Sequence, residues 1–519
     1  MSLETKAEYL ERLQSLRVNR RRFLVGTAWA ATSMALVACG GSDSTPTASA
    51  GGDQPTSASG GGDQPTSAAS GTEAGATGKK TLTFGTAGDI SVLNPQLSTS
   101  LNDIQYSFNL FDNLVSRHPD GKLYPMLASE WKTIDDTTWE FKLRDDVKFH
   151  NGDPLTAADV KFTIERTYDP EAKTLVASIF TSIDHIETPD DFTVRFITKD
   201  PDPILDARLA FYGGQIIPQK YFEQVGADEF NAKPIGSGPV KFVEWVKDDH
   251  LGLEANKDYW DGPIAFDTVV FKPIPELSSR VASVLAGESD LVGNLTPDTV
   301  EQVNESDSAQ IAKVPYAGLY VLAVNSHVAP LDNPLVKQAL SLAIDREAIV
   351  KELWRGMGIV PNCPIAKGDT IGYDPDKPPY KYDPDAAKKL LEQANYDNEP
   401  IYLETTEGYM ANDKPMSDAI VAMWKDVGIN AVEEVIQYSV RAQKNRDKSF
   451  KGMWWSDPTS TVGDPDGMMW RLLGPGGSQD YWRDPEFDKL GAEAHNSLDQ
   501  ERRAEIYKRM VEIFDENLP

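Results

Sequence analysis

Residues 319–353 read LYVLAVNSHVAPLDNPLVKQALSLAIDREAIVKEL, and this stretch carries the pattern that decides the fold class. Leu319 to Val324 are typical of a short strand. Asn333 predicts a helix N-cap, with Pro334 in the first helical position. The apolar residues that share one face of this helix are Leu335, Val336, Ala339, Leu340, Ala343 and Ile344. Asp345 caps a second predicted helix, which Gly356 ends.

The same alternation of strands and helices extends in both directions along the chain. Further strands are predicted at Thr81–Phe84, Trp139–Leu143, Phe192–Phe196 and Val269–Phe271. Near the end, Asp499 precedes a predicted helix with an apolar stripe. The members of this stripe are Ile506, Met510, Ile513 and Phe514. Strands that alternate with helices indicate an α/β protein with partly parallel sheets.

The chain has 519 residues, too many for one core, so two or three domains are expected. Its 51 basic and 80 acidic residues give a net charge of −29. Such a surface repels phosphate backbones and anionic lipid headgroups, which argues against nucleic-acid binding and peripheral membrane docking. The acidity is explained by the solubility of an exported protein, although a pocket that attracts cations is compatible with it.

The N-terminal segment 1–39 has the pattern of an export signal. Arg20–Arg22 precede an uncharged run that reaches Ala38 and is too short for a membrane span. The run ends LVACG, which resembles the lipobox of bacterial lipoproteins and implies that Cys39 is lipidated and becomes the new N-terminus. The pattern RRxFL resembles the twin-arginine export signal, and we favour that route over general secretion.

Residues 40–78 consist almost wholly of Gly, Ser, Thr, Ala, Pro, Asp and Gln, and GGDQPTSA occurs at 51–58 and again at 61–68. No core can form from this composition, so a disordered tether is predicted. A flexible chain of about forty residues spans roughly 35 Å. The tether would let the folded part reach a neighbour in the same membrane.

Six blocks after Lys79 occur in the order of a known family. They are DGKLYPMLA at 120–128, KFHNGDPLTAADV at 148–160, PIGSGP at 234–239, NKDYW at 256–260, the segment 336–350 and DPEFD at 484–488. This order resembles the extracellular solute-binding proteins of family 5, which serve peptide, nickel and opine transporters. His150, inside the most specific block, is interpreted as structural.

The resemblance implies an α/β, two-lobed fold of the periplasmic-binding-protein type (type II, large cluster) with an additional inserted domain. The expected first lobe comprises 79–114 and 215–323, the inserted subdomain 115–214, and the second lobe 324–519. Family members close like a hinged clamp around a ligand held between the lobes. The family chain returns to the first lobe after the helix that ends near Glu516, so we expect this C-terminal return segment to be missing.

The candidate ligand-binding residues centre on 453–470, which read MWWSDPTSTVGDPDGMMW. Peptide-binding members carry a tryptophan-rich strand here, followed by an acid that holds the α-ammonium group of the peptide. Asp457 is the best match for that acid, and a desolvated carboxylate would make a short charge-assisted hydrogen bond to an ammonium. The loop from Asp457 to Asp464 is longer than in the family, so Asp464 either contacts the ligand or caps the next helix. Strand alternation places one of Trp454 and Trp455 toward the cleft and the other toward the core.

The resemblance implies further wall residues less specifically. Asp89 lies in GDISVLNP, which corresponds to a loop that meets the ligand in relatives, and Asn325 lies where the chain enters the second lobe. Tyr409, Tyr438 and Arg441 belong to second-lobe segments that face the cleft in some members. Arg441 is suited to a bidentate pair with a ligand carboxylate, and a solvated surface arginine is the alternative.

These features predict the solute-binding component of an ABC importer, lipid-anchored on the outer face of the cytoplasmic membrane, in the periplasm or at the cell surface. Peptides are the expected ligands, with nickel chelates, opines, sugars and haem as alternatives. A sensory or signalling lipoprotein on the same fold is the alternative function. The expected partners are permease subunits with a separate ATPase, and the chain is expected to be a monomer.

No catalysis, metal or cofactor is expected. The sequence lacks HExxH, GxSxG and a phosphate-binding Walker loop, and its six histidines are scattered without ligand spacing. Cys363 is the second of two cysteines, and no base that would activate it is identifiable. We therefore expect a buried structural thiol at Cys363.

Overall fold

The computed structural model describes residues 80–98, 100–118, 121–313, 318–369, 371–406, 410–456, 462–477 and 479–519. The strands are β1 (Thr81–Thr86), β2 (Val115–Arg117), β3 (Leu123–Pro125), β4 (Ala128–Asp135), β5 (Thr138–Leu143), β6 (Ile183–Asp190), β7 (Thr193–Thr198), β8 (Val240–Val246), β9 (His250–Ala255), β10 (Thr268–Pro273), β11 (Leu291–Val292), β12 (Val321–Val324), β13 (Ile401–Thr405), β14 (Ala431–Val435) and β15 (Met453–Ser456). The helices are α1 (Leu101–Leu110), α2 (Ala157–Tyr168), α3 (Leu205–Leu209), α4 (Gln219–Ala232), α5 (Leu277–Ala286), α6 (Thr299–Asn304), α7 (Pro334–Leu342), α8 (Arg346–Glu352), α9 (Pro384–Gln393), α10 (Asp413–Asp426), α11 (Tyr438–Asp447), α12 (Arg471–Leu473), α13 (Pro485–His495) and α14 (Gln500–Asn517).

The predicted helix starts are confirmed at three positions. The side chains of Asn333, Asp345 and Asp499 each accept a hydrogen bond from a backbone N–H two or three residues later, at 2.9–3.0 Å. These bonds satisfy N–H groups that the start of a helix leaves without an intrahelical partner. Pro334 occupies the first position of α7. The five predicted strands overlap β1, β5, β7, β10 and β12.

The first sheet has the strand order β11-β1-β10-β9-β8. β1 pairs in parallel with β10 and β11, whereas β9 runs antiparallel to both β10 and β8. Strands that are separated by more than 150 residues in sequence thus share one sheet. Its core includes Leu93, Phe111, Phe230 and Leu253.

A second sheet, β4-β5-β7-β6, lies within residues 128–198 and is antiparallel. β5 buries Trp139, Phe141 and Leu143 and leaves the alternate positions half-buried. This alternation is what a sheet packed on one face requires. With α2 and α3 the sheet encloses a hydrophobic cluster spanning residues 114–216, called the inserted core below.

The third sheet has the order β12-β15-β13-β14. β13 is parallel to β14 and β15, and β12 is antiparallel to β15. Helices α7, α9 and α10 pack on one face of this sheet. Hydrogen bonds between β12 and β15 place Val321 to Val324 in this sheet. The boundaries of the predicted three-part division stay predictions.

A further cluster, called the C-terminal core below, spans residues 363–513 and contains side chains of α13 and α14. The predicted apolar stripe of α14 buries Ile506, Met510 and Ile513, while Phe514 is half-buried. Cys363 is 2% exposed in this core, and burial raises the pKa of its thiol. A protonated, buried thiol agrees with the structural role predicted for Cys363.

The chain divides into two units, residues 1–78 and 79–519, and all described residues belong to the second unit. The predicted export signal, the lipidated Cys39 and the tether lie outside the described residues. Within the described part of the chain, no helix is long and apolar enough to cross a membrane.

Candidate ligand cleft

The carboxyl ends of β13, β14 and β15 meet at one edge of the third sheet. Thr405 pairs with Val435 across β13 and β14, and Glu404 lies beside Trp454 across β13 and β15. Ligands of open α/β sheets bind outside the carboxyl ends of parallel strands. The segments that follow these three strands therefore form the second-lobe wall of the candidate cleft.

Four predicted contact residues follow these strands in sequence. Tyr409 and Asp457 lie outside the described residues, as does the side chain of Tyr438, whose backbone begins α11. Arg441 lies on the same helix and is 8% exposed, so the alternative of a solvated surface arginine is wrong. The contacts of these residues with a ligand stay predictions.

Trp454 and Trp455 lie on opposite faces of the sheet, as alternation along β15 requires. Trp455 is 5% exposed and packs under α10, where its indole N–H donates to Ser417 Oγ at 2.7 Å. Trp454 is 1% exposed and stacks on Phe450 with 4.1 Å between ring centroids. The Trp454 indole N–H has no hydrogen-bond partner in the part of the chain that the structure describes. Both indoles are buried, and the predicted contact of one of them with a ligand stays a prediction.

A buried acid, Glu404, lies beside Trp454 on the same face of the sheet. Its carboxylate is 0% exposed; one oxygen lies 2.8 Å from Lys444 Nζ, and the other accepts from the Lys451 N–H at 2.7 Å. Burial of a carboxylate requires such partners. The ion pair with Lys444 fixes α11 against the sheet. The sequence analysis missed this pair, because no spacing rule relates two residues forty positions apart.

Asp464 is engaged within the protein. It is 3% exposed, and Arg503 donates to both of its carboxylate oxygens, at 2.7 and 2.8 Å. Asp464 Oδ1 also accepts from the N–H of Asp466, where a π-helical turn (Asp466–Trp470) begins. Of the two roles predicted for Asp464, this geometry favours the cap of the following turn.

Asp89 lies after β1, at the carboxyl edge of the first sheet. Its half-buried carboxylate accepts from the N–H of Ile90 at 2.9 Å and from that of Asp248 at 2.7 Å. Asp248 lies in the turn between β8 and β9. Asp89 thus fixes the loop after β1 to a neighbouring turn, and its contact with a ligand stays a prediction.

Asn325 lies at the opposite edge of the third sheet from the candidate wall. Because β12 is antiparallel to β15, the start of β12 is next to Ser456 and its end is next to Met453. The Asn325 side chain donates to the carbonyl of Phe450 at 2.8 Å and accepts from the N–H of His327 at 3.1 Å. The structure therefore separates Asn325 from the segments that follow β13 to β15.

The inserted core and the C-terminal core meet through charged side chains that sequence reasoning missed. Arg208 lies 3.5 Å from Asp466, which in turn lies 2.7 Å from His495 Nδ1. Beside them, a Cβ atom on Gly463 would lie only 1.7 Å from the Arg117 guanidinium, and Gly463 has φ +67°. A glycine is thus required at 463 both by its backbone conformation and by the approach of Arg117.

Two pKa shifts describe this contact. Burial alone would raise the pKa of Asp466, but the hydrogen bond from His495 and the nearby charges of His495, Arg208 and Arg503 hold that pKa below its usual value. The hydrogen bond to Asp466 raises the pKa of His495 against the opposing effect of burial. The Asp466 side chain is therefore ionised and paired with cations from both cores.

Among the residues that the structure describes, no group of three or more His, Cys, Asp or Glu side chains has the arrangement of a metal site.

Residues 122–480 match the family of bacterial extracellular solute-binding proteins, family 5 Middle. The dipeptide-binding protein of Escherichia coli (strain K12) is 27% identical over 484 residues, which cover 86% of this chain and 90% of that protein. Heme-binding protein A of Haemophilus influenzae is 29% identical over 492 residues, which cover 86% of this chain and 87% of that protein. Among solved structures, DppA of Helicobacter pylori in complex with the peptide STSA aligns with a TM-score of 0.72 and 27% identity. The alignment covers 85% of this chain and 91% of DppA.

Fold and cleft thus define a two-lobed α/β solute-binding protein. The chain belongs to the bacterial extracellular solute-binding proteins of family 5, and its role is that of the ligand-binding component. The predicted family and fold class are confirmed. The members of this family are binding proteins rather than enzymes.

Proposed function

We propose that this chain captures a short peptide between its two lobes and delivers it to the permease subunits of an ABC importer. The observation that carries the proposal is the shared edge of β13, β14 and β15, because β15 ends at Ser456 and Asp457 follows directly. A carboxylate there suits the terminal ammonium of a peptide. The names of two relatives, a dipeptide-binding protein and a peptide complex, support this ligand class.

Native mass spectrometry of the purified full chain tests the ligand class directly. We expect additional masses that match short peptides and disappear after partial unfolding and refolding. A haem mass is the outcome that the similarity to heme-binding protein A favours. A nickel chelate, an opine or a sugar would likewise replace peptides as the ligand and leave the binding function intact.

Calorimetry with a panel of dipeptides and tripeptides tests the role of Asp457. Asp457→Ala is expected to weaken binding by about 2–5 kcal/mol, at least roughly thirtyfold in Kd, because the ligand ammonium would be left unpaired in a closed cleft. N-acetylated peptides, which lack the ammonium, should bind the wild type as weakly as free peptides bind the variant.

A matched control is Asp397→Asn. Asp397 is an exposed carboxylate in the segment before β13, at the edge of the third sheet opposite the cleft. Its removal changes net charge equally and should leave peptide affinity unchanged. Equal affinities of wild type and Asp457→Ala would rule out Asp457 as the ammonium partner, whatever the ligand class proves to be.

We further propose that Cys39 anchors the chain by lipid on the outer face of the cytoplasmic membrane. Metabolic labelling with a palmitate analogue should label the wild type and not Cys39→Ser. The Cys39→Ser variant should leave the membrane fraction, since a stable anchor needs its acyl chains. Replacement of Arg20 and Arg21 by Lys should block export if the twin-arginine route is used.

Transport and signalling are separated by an uptake assay in cells. Deletion of this gene should abolish uptake of the peptide identified by mass spectrometry, and re-expression should restore it. Unchanged uptake, together with loss of a transcriptional response to the peptide, would favour the sensory function. Light scattering at several concentrations tests the expected monomer.

A further inference from the structure

Arg208 stands where the inserted core meets the C-terminal core. It belongs to α3, whose Leu205 and Leu209 pack in the inserted core. Its guanidinium lies between two buried carboxylates, with Nε 3.4 Å from Asp202 and Nη2 3.5 Å from Asp466. The Arg208 side chain is 13% exposed, and the two carboxylates are 3% and 5% exposed. The Arg208 guanidinium thus contacts carboxylates on both sides of the boundary between the two cores.

Both Arg208 and Asp466 also pair with a second ionisable side chain of their own core. On the inserted side, Arg208 pairs with Asp202, which also accepts from Ser182 Oγ at 2.6 Å. Asp466 has His495, whose Nδ1 lies 2.7 Å from the carboxylate. Breaking a buried ion pair is costly mainly because it leaves a charge without a partner. Separation of the two cores would break the Arg208–Asp466 pair and would leave each of these two charges with a partner on its own side.

The charges across this boundary are complementary. Arg117, the second arginine on the inserted side, is attracted by the charges of Asp369 and Asp464 on the other side. Arg208 faces Asp466. Two arginines of residues 115–216 therefore face three aspartates that lie beyond residue 363. Complementary charge of this kind fixes the relative position of two surfaces more than it adds to the stability of either.

We propose that Arg208 and Asp466 form a reversible ion-pair latch, and that both act as positioning residues which favour the arrangement in which the inserted core and the C-terminal core touch, called the closed arrangement below. The apparent affinity of a hinged binding protein falls with the fraction of molecules that are open. An ion pair that favours the closed arrangement therefore raises apparent affinity without contacting the ligand. The proposal rests on the two-lobed fold and is independent of the ligand class.

Pulsed electron-electron resonance on spin-labelled full chain measures the opening directly. Labels are placed by Glu187→Cys on β6 and Lys489→Cys on α13, both exposed positions on opposite sides of the contact. The background is Cys39→Ser, and the native Cys363 is 2% exposed. Co-purified ligand is first removed by partial unfolding and refolding and none is added, so the distances report the intrinsic balance of open and closed molecules.

Arg208→Gln and Asp466→Asn are each expected to move the distance distribution toward longer values, with the open-to-closed ratio rising roughly fivefold or more. The double variant should move it no further than either single one, because both remove the same interaction. Arg208→Lys, which keeps the charge, should restore part of the short-distance population.

Two controls separate a latch from general loosening. Asp202→Asn removes the competing carboxylate and leaves Arg208 to Asp466, so it should shift the distances in the opposite direction, toward closure. Arg195→Gln breaks a more exposed ion pair, with Glu140, inside one sheet and should not change the distances. The proposal is overturned if folded Arg208→Gln keeps the wild-type distances, or if Asp202→Asn opens the molecule as well. If Arg208→Gln does not fold, Asp466→Asn removes the same ion pair, and wild-type distances in that variant would equally overturn the proposal.

Discussion

Asp112 and Asp466 are both buried aspartates, yet their surroundings differ in kind. Asp112 is 0% exposed and accepts three hydrogen bonds from neutral donors at 3.0–3.1 Å. The donors are Ser237 Oγ, Tyr259 Oη and Trp260 Nε1. Asp466 is 3% exposed and is held by two ionisable side chains, His495 and Arg208. Burial raises the pKa of Asp112, whereas the surrounding cations lower that of Asp466.

The neutral arrangement continues around Asp112. His150 Nδ1 accepts from the N–H of Gly236 at 3.2 Å, and its Nε2 donates to the carbonyl of Gly238 at 3.0 Å. Burial lowers the pKa of His150 to about 4, so the ring is neutral at physiological pH. Neutral donors suit an interior that stays assembled, because no charge besides that of Asp112 has to be removed from water. Charges suit a boundary between two cores, where attraction acts before the surfaces touch.

The largest expected effect comes from the charged region. Arg503→Met should lower the free energy of unfolding by about 3–5 kcal/mol, because it leaves the buried carboxylate of Asp464 without its bidentate partner. Arg503 itself is 0% exposed, so water cannot easily replace its contacts. Urea unfolding followed by circular dichroism measures the change.

The adjacent arginine of α14 provides the control. Arg502 is 45% exposed and pairs with Glu493 and Glu505 at the surface. Arg502→Met should change the free energy of unfolding by less than about 1 kcal/mol. Similar losses for the two variants would mean that burial of the Arg503–Asp464 pair does not set its contribution.

The neutral region should respond less strongly. Asp112→Ala is expected to lower the free energy of unfolding by about 2–3 kcal/mol, because three donors lose their acceptor in a buried site. Asp112→Asn retains one oxygen acceptor and removes the charge, so its loss should be less than half as large. If the asparagine variant unfolds as easily as the alanine variant, the ionised carboxylate rather than hydrogen-bond acceptance is what this site requires.

The two regions also differ in how far the sequence predicts them. The donors to Asp112 come from PIGSGP and NKDYW, and His150 comes from KFHNGDPLTAADV, so the family blocks mark this region even though they do not name Asp112. Local rules were equally sufficient for the caps at Asn333, Asp345 and Asp499, since each acts within three residues. The family, the fold class and most elements therefore follow from the sequence.

The contact around Asp466 could not be found in the same way. Arg208, Asp466 and His495 come from three distant segments, and an isolated arginine or aspartate carries no sign of its partner. The same holds for Glu404 and Lys444 on the third sheet. Asn325 was predicted from its place where the chain enters the second lobe, and its contact with a ligand stays a prediction, since antiparallel pairing of β12 with β15 places it beside Gly452 and Phe450.

The smallest expected effect is the contribution of His495 to the pH dependence of the free energy of unfolding. Because Asp466 raises the pKa of His495, the folded chain holds this proton more tightly than the unfolded chain does. The resulting stabilisation is complete below about pH 6.5, the ordinary pKa of histidine, and is lost as pH rises through the raised value. The side chain is 36% exposed, so we expect less than about 1 kcal/mol after screening by solvent.

Urea midpoints at pH 6 and pH 9 measure this difference in stability. The wild type should lose more stability between the two values than His495→Gln, which has no proton to release. His185→Gln is the matched control, since His185 also lies 2.8 Å from an aspartate but is 51% exposed on β6, away from any contact between cores. If His185→Gln reduces the change in urea midpoint between pH 6 and pH 9 as much as His495→Gln does, the pairing of His495 with Asp466 is no different from an ordinary surface pair. If only His495→Gln reduces this change in midpoint, the pH-dependent stability comes from the charged boundary around Asp466, in contrast to the neutral donors around Asp112.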